Sequence, residues 1–306
     1  MSRMELTSLH LSRIGQLYPQ PLLELGPNIV EIPEEFSDIV DEQLTAAGVL
    51  ESADTLAAPA RALLDPLFGY DQAFAAVLML HNQRQRVTFD LDEEWFDYIG
   101  STSIPTTPRV YVLVTATGST VTTAVRAGDH VDVVQEVVSE EFPKAAAAQL
   151  LRVGDPGNEW SPASIASVSF PADLLDRAPL RAPTTDSEDR QARADHRETV
   201  YRFVGALRGS GVSSRTVSTV ETILGLDHIA ANHVSYISGP RRLLSEGSAS
   251  IDYFHNAGIV VSGVQKMGDG RVWKTFAPAT RNDVAAALSD LTRLPSRPML
   301  DALSSY

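Results

Sequence analysis

The sequence predicts an α+β fold in a quasi-twofold arrangement of two similar halves, with a central, mostly antiparallel sheet flanked by helices. Three observations predict it. Runs rich in β-branched residues, such as Arg109 to Thr117 (RVYVLVTAT), alternate with segments whose apolar residues recur at three- and four-residue spacing. A strand–turn–strand unit is followed by a helix-like segment twice. The two units superimpose at a shift of about 151 residues, with Asp129 on Thr280, Asp132 on Asp283, Val133 on Val284 and Val137 on Leu288. The 306 residues then form a single domain of two pseudo-repeat halves, 1–160 and 161–306.

A first helix is expected over Pro33 to Ala47. Pro33 suits the first helical position, Glu34 and Glu35 complement the positive end of the dipole, and Gly48 supplies a left-handed terminus. Phe36, Ile39, Val40 and Leu44 make its apolar stripe. A shorter helix covers Ala58 to Leu64 and stops before Pro66. Ala73 to Leu80 (AFAAVLML) is apolar on both faces, and its length and polar flanks favour a buried strand over a short helix. Thr117-Gly118-Ser119 joins the strand at 109–117 to one at Thr120 to Arg126. A helix capped by Asp129 then carries Val133, Val134, Val137 and Val138 inward.

Ser161 to Phe170 alternates loosely and reads as a strand. Residues 179–196 are polar, charged and proline-containing, as in a linker or loop. The earlier pattern then returns. A helix near Thr199 to Leu207 leads to LRGSGV, which echoes LTAAGV at Leu44 to Val49, and a second helix points Val217, Val220 and Leu224 inward. Ile259 to Lys266 and Arg271 to Phe276 form a hairpin around an Asp-Gly turn. Thr280 and Asp283 are spaced as a capping pair for a helix that buries Val284, Leu288 and Leu291 and ends by Pro295.

Composition narrows the function. The formal charge of −14 disfavours a phosphate backbone as partner, and the absence of cysteine removes disulfides, thiolate metal sites and cysteine nucleophiles. Neither a signal-peptide stretch nor a membrane-length apolar run is present, so a cytoplasmic protein without membrane contact is expected. No nucleophile elbow, P-loop or complete dinucleotide-binding motif occurs; Gly209-Ser210-Gly211 lacks its third glycine, with Ser214 in that place. The acidic run Asp90, Asp92, Glu93, Glu94, Asp97 has Trp95 where a calcium loop needs glycine. His228 and His233 are five residues apart, a poor metal pair on a helix. No catalytic, cofactor or metal site is therefore expected.

What stands out instead is the connection between the strands ending near Leu80 and starting near Arg109. It is long, and Phe89, Trp95, Phe96 and Tyr98 lie in it amid acidic residues. Long connections are usually functional or disordered, and aromatics amid charge are typical interface anchors. Core packing of an extra strand or helix is the alternative for the same aromatics. With Val212 and Val217 of the second half, the four are the candidate partner-binding residues.

Two stretches identify a relative. Ser238 to Gly247 (SGPRRLLSEG), then the hairpin, then Val272 to Thr280 (VWKTFAPAT) before an alanine-rich helix resemble the EspG proteins of type VII (ESX) secretion. Glu5-Leu6-Thr7 and the Leu-x-x-x-Gly-Val-Leu of Leu44 to Leu50 are similar too. The resemblance implies a quasi-twofold α+β fold with a central sheet and two helical bundles. It also implies a cytosolic chaperone that binds the helical tip of a PE–PPE heterodimer, keeps it soluble and delivers it for secretion, as a monomer or weak dimer. Two rivals have their own signatures. A small-molecule enzyme requires His228, His233, His255 and nearby carboxylates to meet in a deep pocket, and a self-assembling scaffold would form concentration-dependent oligomers.

Overall fold

A strand with apolar side chains on both faces belongs inside a sheet, and Gln72–Leu80 (β4) is such a strand. It pairs antiparallel with Arg109–Thr117 (β7) on one side and with His228–Ser238 (β11) on the other. The computed structural model describes residues 2–26, 32, 34–81, 85–88, 103–106, 108–177, 190–268 and 270–299. Within these, β7 continues into Thr120–Ala127 (β8), His130–Val137 (β9) and, at the edge, Ser2–Thr7 (β1). On the other side β11 is followed by Leu243–Phe254 (β12), Gly258–Lys266 (β13), Val272–Pro278 (β14) and Val168–Pro171 (β10) at the opposite edge. Ser296–Pro298 (β15) pairs with the start of β12, and every ladder is antiparallel.

Helices cover the two faces unequally. Phe142–Gly154 (α4) packs on Arg281–Leu291 (α8), and together they cover one face across the centre of the sheet. There Phe74, Val112, Val114, Ala146, Leu150, Ile251, Val261, Val284 and Leu288 form one buried cluster. On the opposite face, Ser8–Gly15 (α1), Glu34–Ala46 (α2) and Ala58–Phe68 (α3) cover the β1 end through Leu11, Leu44, Leu64, Leu113 and Val133. Asp173–Arg177 (α5), Arg190–Gly209 (α6) and Ser214–Leu224 (α7) cover the β10 end, where Phe170 meets Phe203, Val217 and Val220. The hairpin Leu50–Ser52 (β2) with Thr55–Leu56 (β3) links α2 to α3.

The apolar stripe of α8 falls as its spacing requires: Val284, Leu288 and Leu291 are buried, and the Thr280 hydroxyl accepts from the Asp283 amide at 3.1 Å. Val217 and Val220 of α7 are likewise buried, and Ser213 caps that helix.

Several expectations are corrected. The segment after Asp129 is strand β9, not a helix: its β-branched alternation buries Val131 and Val133 and leaves Val137 79% exposed. Asp129 accepts from the Ser8 hydroxyl at 2.9 Å and, through its carbonyl, from the Ser8 amide at 2.8 Å, so it meets the start of α1 instead of heading a helix of its own. The residue matches at a shift of about 151 therefore pair a strand with a helix. The hairpin β7–β8 is followed by strand β9, whereas β13–β14 is followed by helix α8.

Helix α3 does not stop before Pro66 but runs on to Phe68. Proline lacks the amide that would bond the carbonyl four residues back, at Ala62. That oxygen instead accepts from Gln135 Nε2 at 3.0 Å, a donor from the neighbouring sheet that allows the helix to pass through the proline. Helix α2 starts at Glu34, with Pro33 outside the described residues, and its stripe is divided. Val40 and Leu44 are buried, whereas Phe36 and Ile39 are 49% and 51% exposed. Of the strand expected at Ser161 to Phe170 only Val168 onward is paired in β10, apart from a bridge from Pro162 to Ile259. In the expected linker, Arg190 to His196 are the first turns of α6; residues 178–189 lie outside the described residues.

The Ser-Gly-Pro-Arg stretch is held against the segments at 21–24 and 70–71. Gly239 donates to the Asp71 carbonyl at 2.9 Å, and a Cβ there would stand 1.9 Å from the Tyr70 carbonyl oxygen, so only glycine fits. The Gly239–Pro240 bond is cis. Arg242 Nε lies 3.5 Å from Glu24 Oε1, the Tyr70 hydroxyl donates to the same oxygen at 2.6 Å, and Arg242 also donates to the Pro21 carbonyl. The Glu24 side chain is fully buried, so Arg242 and Tyr70 provide the compensation that a buried charge requires.

Candidate functional site

Where the two helical groups on the second face leave off, no described helix covers the central strands. Register places Tyr111, Val77, His233 and Ser250 in one row across β7, β4, β11 and β12, and Arg109, Met79, Ala231 and Asp252 in the next. Val77, Met79, Tyr111 and Asp252 are half-buried and Arg109 and His233 are exposed, while Ala231 and Ser250 are buried between them. Their neighbours one residue along, Phe74, Leu78, Val112, Val234 and Ile251, are all buried on the other face. A sheet of this kind normally covers both faces at its centre. This strip is walled by α1–α3 on one side and α5–α7 on the other, and among the described residues no helix covers it.

The strip is apolar at β4 and polar beyond it. The Ser250 hydroxyl donates to Asp252 Oδ1 at 2.7 Å. His228 Nε2 lies 3.3 Å from the same oxygen but is not aligned to hydrogen-bond it. The His81 and His228 rings sit 4.9 Å apart, and His228 also lies against Phe254. Partial loss of water lowers the pKa of His233, although the residue stays exposed; Asp252 opposes the shift, while His228 and Lys274 add to it. Burial likewise pushes Lys274 below the ordinary lysine range, with Asp252 opposing. Loss of water around a charged form is the common cause.

His228, His233 and Asp252 therefore do converge, as the enzyme alternative requires, while His255 sits in the exposed turn after β12. Their hydrogen bonds do not form a nucleophilic relay. In such a relay histidine takes the proton of the hydroxyl and the carboxylate orients the histidine. Here Ser250 gives its proton directly to the carboxylate. Among the described residues no group of three or more His, Asp and Glu is placed to hold a metal ion.

A cavity of about 500 Å³ lies elsewhere, between α3 and the Gly239-Pro240 turn, lined by Tyr18, Phe68, Tyr70, Pro66, Pro240 and Arg242. Its ionisable groups serve the fold: Tyr18 donates to Asp65 at 2.7 Å and stacks on Phe68 with centroids 3.8 Å apart, and Arg242 pairs with Glu24.

Of the candidate binding residues, Phe89, Trp95, Phe96 and Tyr98 lie outside the described residues. The strands next to them do not: Gln85–Thr88 (β5) and Ser103–Thr106 (β6) pair as a separate two-stranded ladder, so the long connection contains a hairpin. Val217 is buried in the α6–α7 core and Val212 half-buried against it, so both build the wall of the strip from within. The open strip itself was missed. Its signal in the sequence was the interruption of apolar strand faces by His233, Ser235, Ser250 and Asp252.

No curated protein matches the chain in sequence. Among solved structures it is similar to the Mycobacterium tuberculosis type VII secretion system chaperone EspG5, solved in complex with a PE25–PPE41 dimer. The TM-score is 0.64 at 18% identity, covering 96% of this chain and 97% of that chain. That likeness is one of fold. A peroxisomal multifunctional enzyme type 2 from Drosophila melanogaster covers 90% of this chain and 47% of its own, at 13% identity and a TM-score of 0.14, which carries no weight. The EspG family model matches residues 11–290, nearly the whole chain, and the chain belongs to the EspG family.

Proposed function

We propose that this chain is a type VII secretion chaperone that binds a PE–PPE-type heterodimer on the open strip of its sheet and keeps it soluble for secretion. The observation that carries the reading is membership of the EspG family over residues 11–290. Support comes from the fold it shares along its length with EspG5, which was solved with its PE25–PPE41 partner. The open strip gives that role a physical basis. An exposed apolar patch on a client self-associates unless covered. Val77, Met79 and Tyr111 offer apolar surface between two helical walls. Phe89, Trp95, Phe96 and Tyr98, carried between β5 and β6, extend the cover, and Val212 and Val217 hold the opposite wall.

The chain acts by binding, without catalysis of its own, and works in the cytosol; no described helix is long and apolar enough to cross a membrane. Its single domain consists of halves 1–160 and 161–306 related by a quasi-twofold axis between β4 and β11. The order of elements supports this. An edge strand, three helices, four consecutive sheet strands and one helix occur in β1, α1–α3, β4, β7, β8, β9, α4 and again in β10, α5–α7, β11–β14, α8. Co-expression with a PE–PPE pair from the genome that carries this chain tests the function. A soluble three-chain complex is expected, and a pair that stays insoluble or elutes apart from the chain refutes it.

A further inference from the structure

Lys274 is one of only three lysines in the chain. On β14 it lies opposite Phe170 of β10, which is fully buried against Phe203, so its stem starts at the wall of the second helical group. Its ammonium lies 6.0 Å from the centre of the Phe276 ring, and both Asp252 and His233 feel its charge. Phe276 shares a cross-strand row with Ser262, Ser250 and His233, so the ammonium stands beside the row that leads across β13 to the strip. Among the described residues it makes no ion pair. Asp252, whose charge acts on it, already accepts from the Ser250 hydroxyl at 2.7 Å. An ammonium held where water is scarce, with no counterion in ion-pair contact among the described residues, is left with a cost that an incoming acceptor can offset.

The wider charge sharpens the point. At −14 the chain repels acidic partners in general, so a cation on the docking strip rewards only an acidic group delivered to that spot. Arg109, exposed at the β7 end of the strip, adds a second positive charge to the same face.

We propose that Lys274 is a specificity-determining anchor that pairs with a carboxylate side chain of the PE–PPE-type client. This rests on the docking mode given under Proposed function. The test is titration of the purified chain and its Lys274→Met and Lys274→Arg variants with a PE–PPE heterodimer from the same genome, at low and high salt. Lys274→Met keeps the stem and removes the charge. It is expected to weaken binding by about tenfold or more and to flatten the salt dependence, with Lys274→Arg retaining most of both. The melting temperature of free Lys274→Met should equal or exceed that of the wild type. Unchanged affinity and salt slope in Lys274→Met overturn the anchor while leaving the chaperone function intact. A melting temperature lowered by several degrees also overturns it, because Lys274 would then be holding a carboxylate of its own chain. Failure of the wild-type chain to bind the heterodimer refutes the chaperone function and the anchor with it.

Discussion

Buried charge gives the sharpest residue-level expectations. Glu24 depends on Arg242 and Tyr70, and removing the arginine leaves a carboxylate in the core with one hydrogen bond. Arg242→Met should cost about 3–5 kcal/mol in urea unfolding, and adding Glu24→Gln should restore part of it. His233 gives a pH dependence whose sign is fixed. Though exposed, it loses part of its water on folding, which lowers its pKa below the ordinary 6.5, so the unfolded chain binds the proton more readily. The stability from neutral His233 is full above that ordinary value and is lost as pH falls below it towards the folded one. His233→Gln should therefore show a shallower fall in melting temperature between about pH 7.5 and pH 5.5 than the wild type. Little of this was legible beforehand. Glu24, Tyr70 and Arg242 are far apart in sequence, and nothing local marks Glu24 as buried. Only the Ser-Gly-Pro-Arg stretch hinted at a special backbone, and Gly239 against the Tyr70 carbonyl explains its glycine.

At the scale of elements, periodicity was a good guide where burial was one-sided. Helix α8 could be read from its cap and three apolar positions, and the β13–β14 hairpin from its turn. Thr280→Ala should destabilise the protein by about 1 kcal/mol, measured as a shift in the urea midpoint at constant slope. The same reasoning failed for β9, because an aspartate ahead of a valine-rich run has the same local appearance before a helix and before a strand. The alternation of Val131 and Val133 with Asp132 was the better signal. It failed again at α3, where Pro66 reads as a stop. The donor that replaces its missing amide, Gln135, is a tertiary contact that no local pattern contains. On α2, Phe36 and Ile39 fit the apolar stripe by spacing, yet they face outward because the helix rests on only part of it.

For the whole molecule, the strand order explains how one chain can present the strip proposed for docking. Each set of three helices covers its own end of the second face, and no described helix covers the strands between the sets, β4, β11 and β12. The first face has no such gap, since α4 and α8 pack on each other across the centre. The α+β class and the family could be read from the sequence; the open strip could not, because it depends on which strands the helices leave bare. The most direct measurement is light scattering on a size-exclusion column, with the chain mixed with a PE–PPE heterodimer from its own genome. The wild type should give one peak with the mass of three chains. Val77→Glu, placed on the open strip, should leave the chain folded and shift it to a separate peak. A Val77→Glu chain that still co-elutes with the heterodimer as the wild type does would contradict docking on this face.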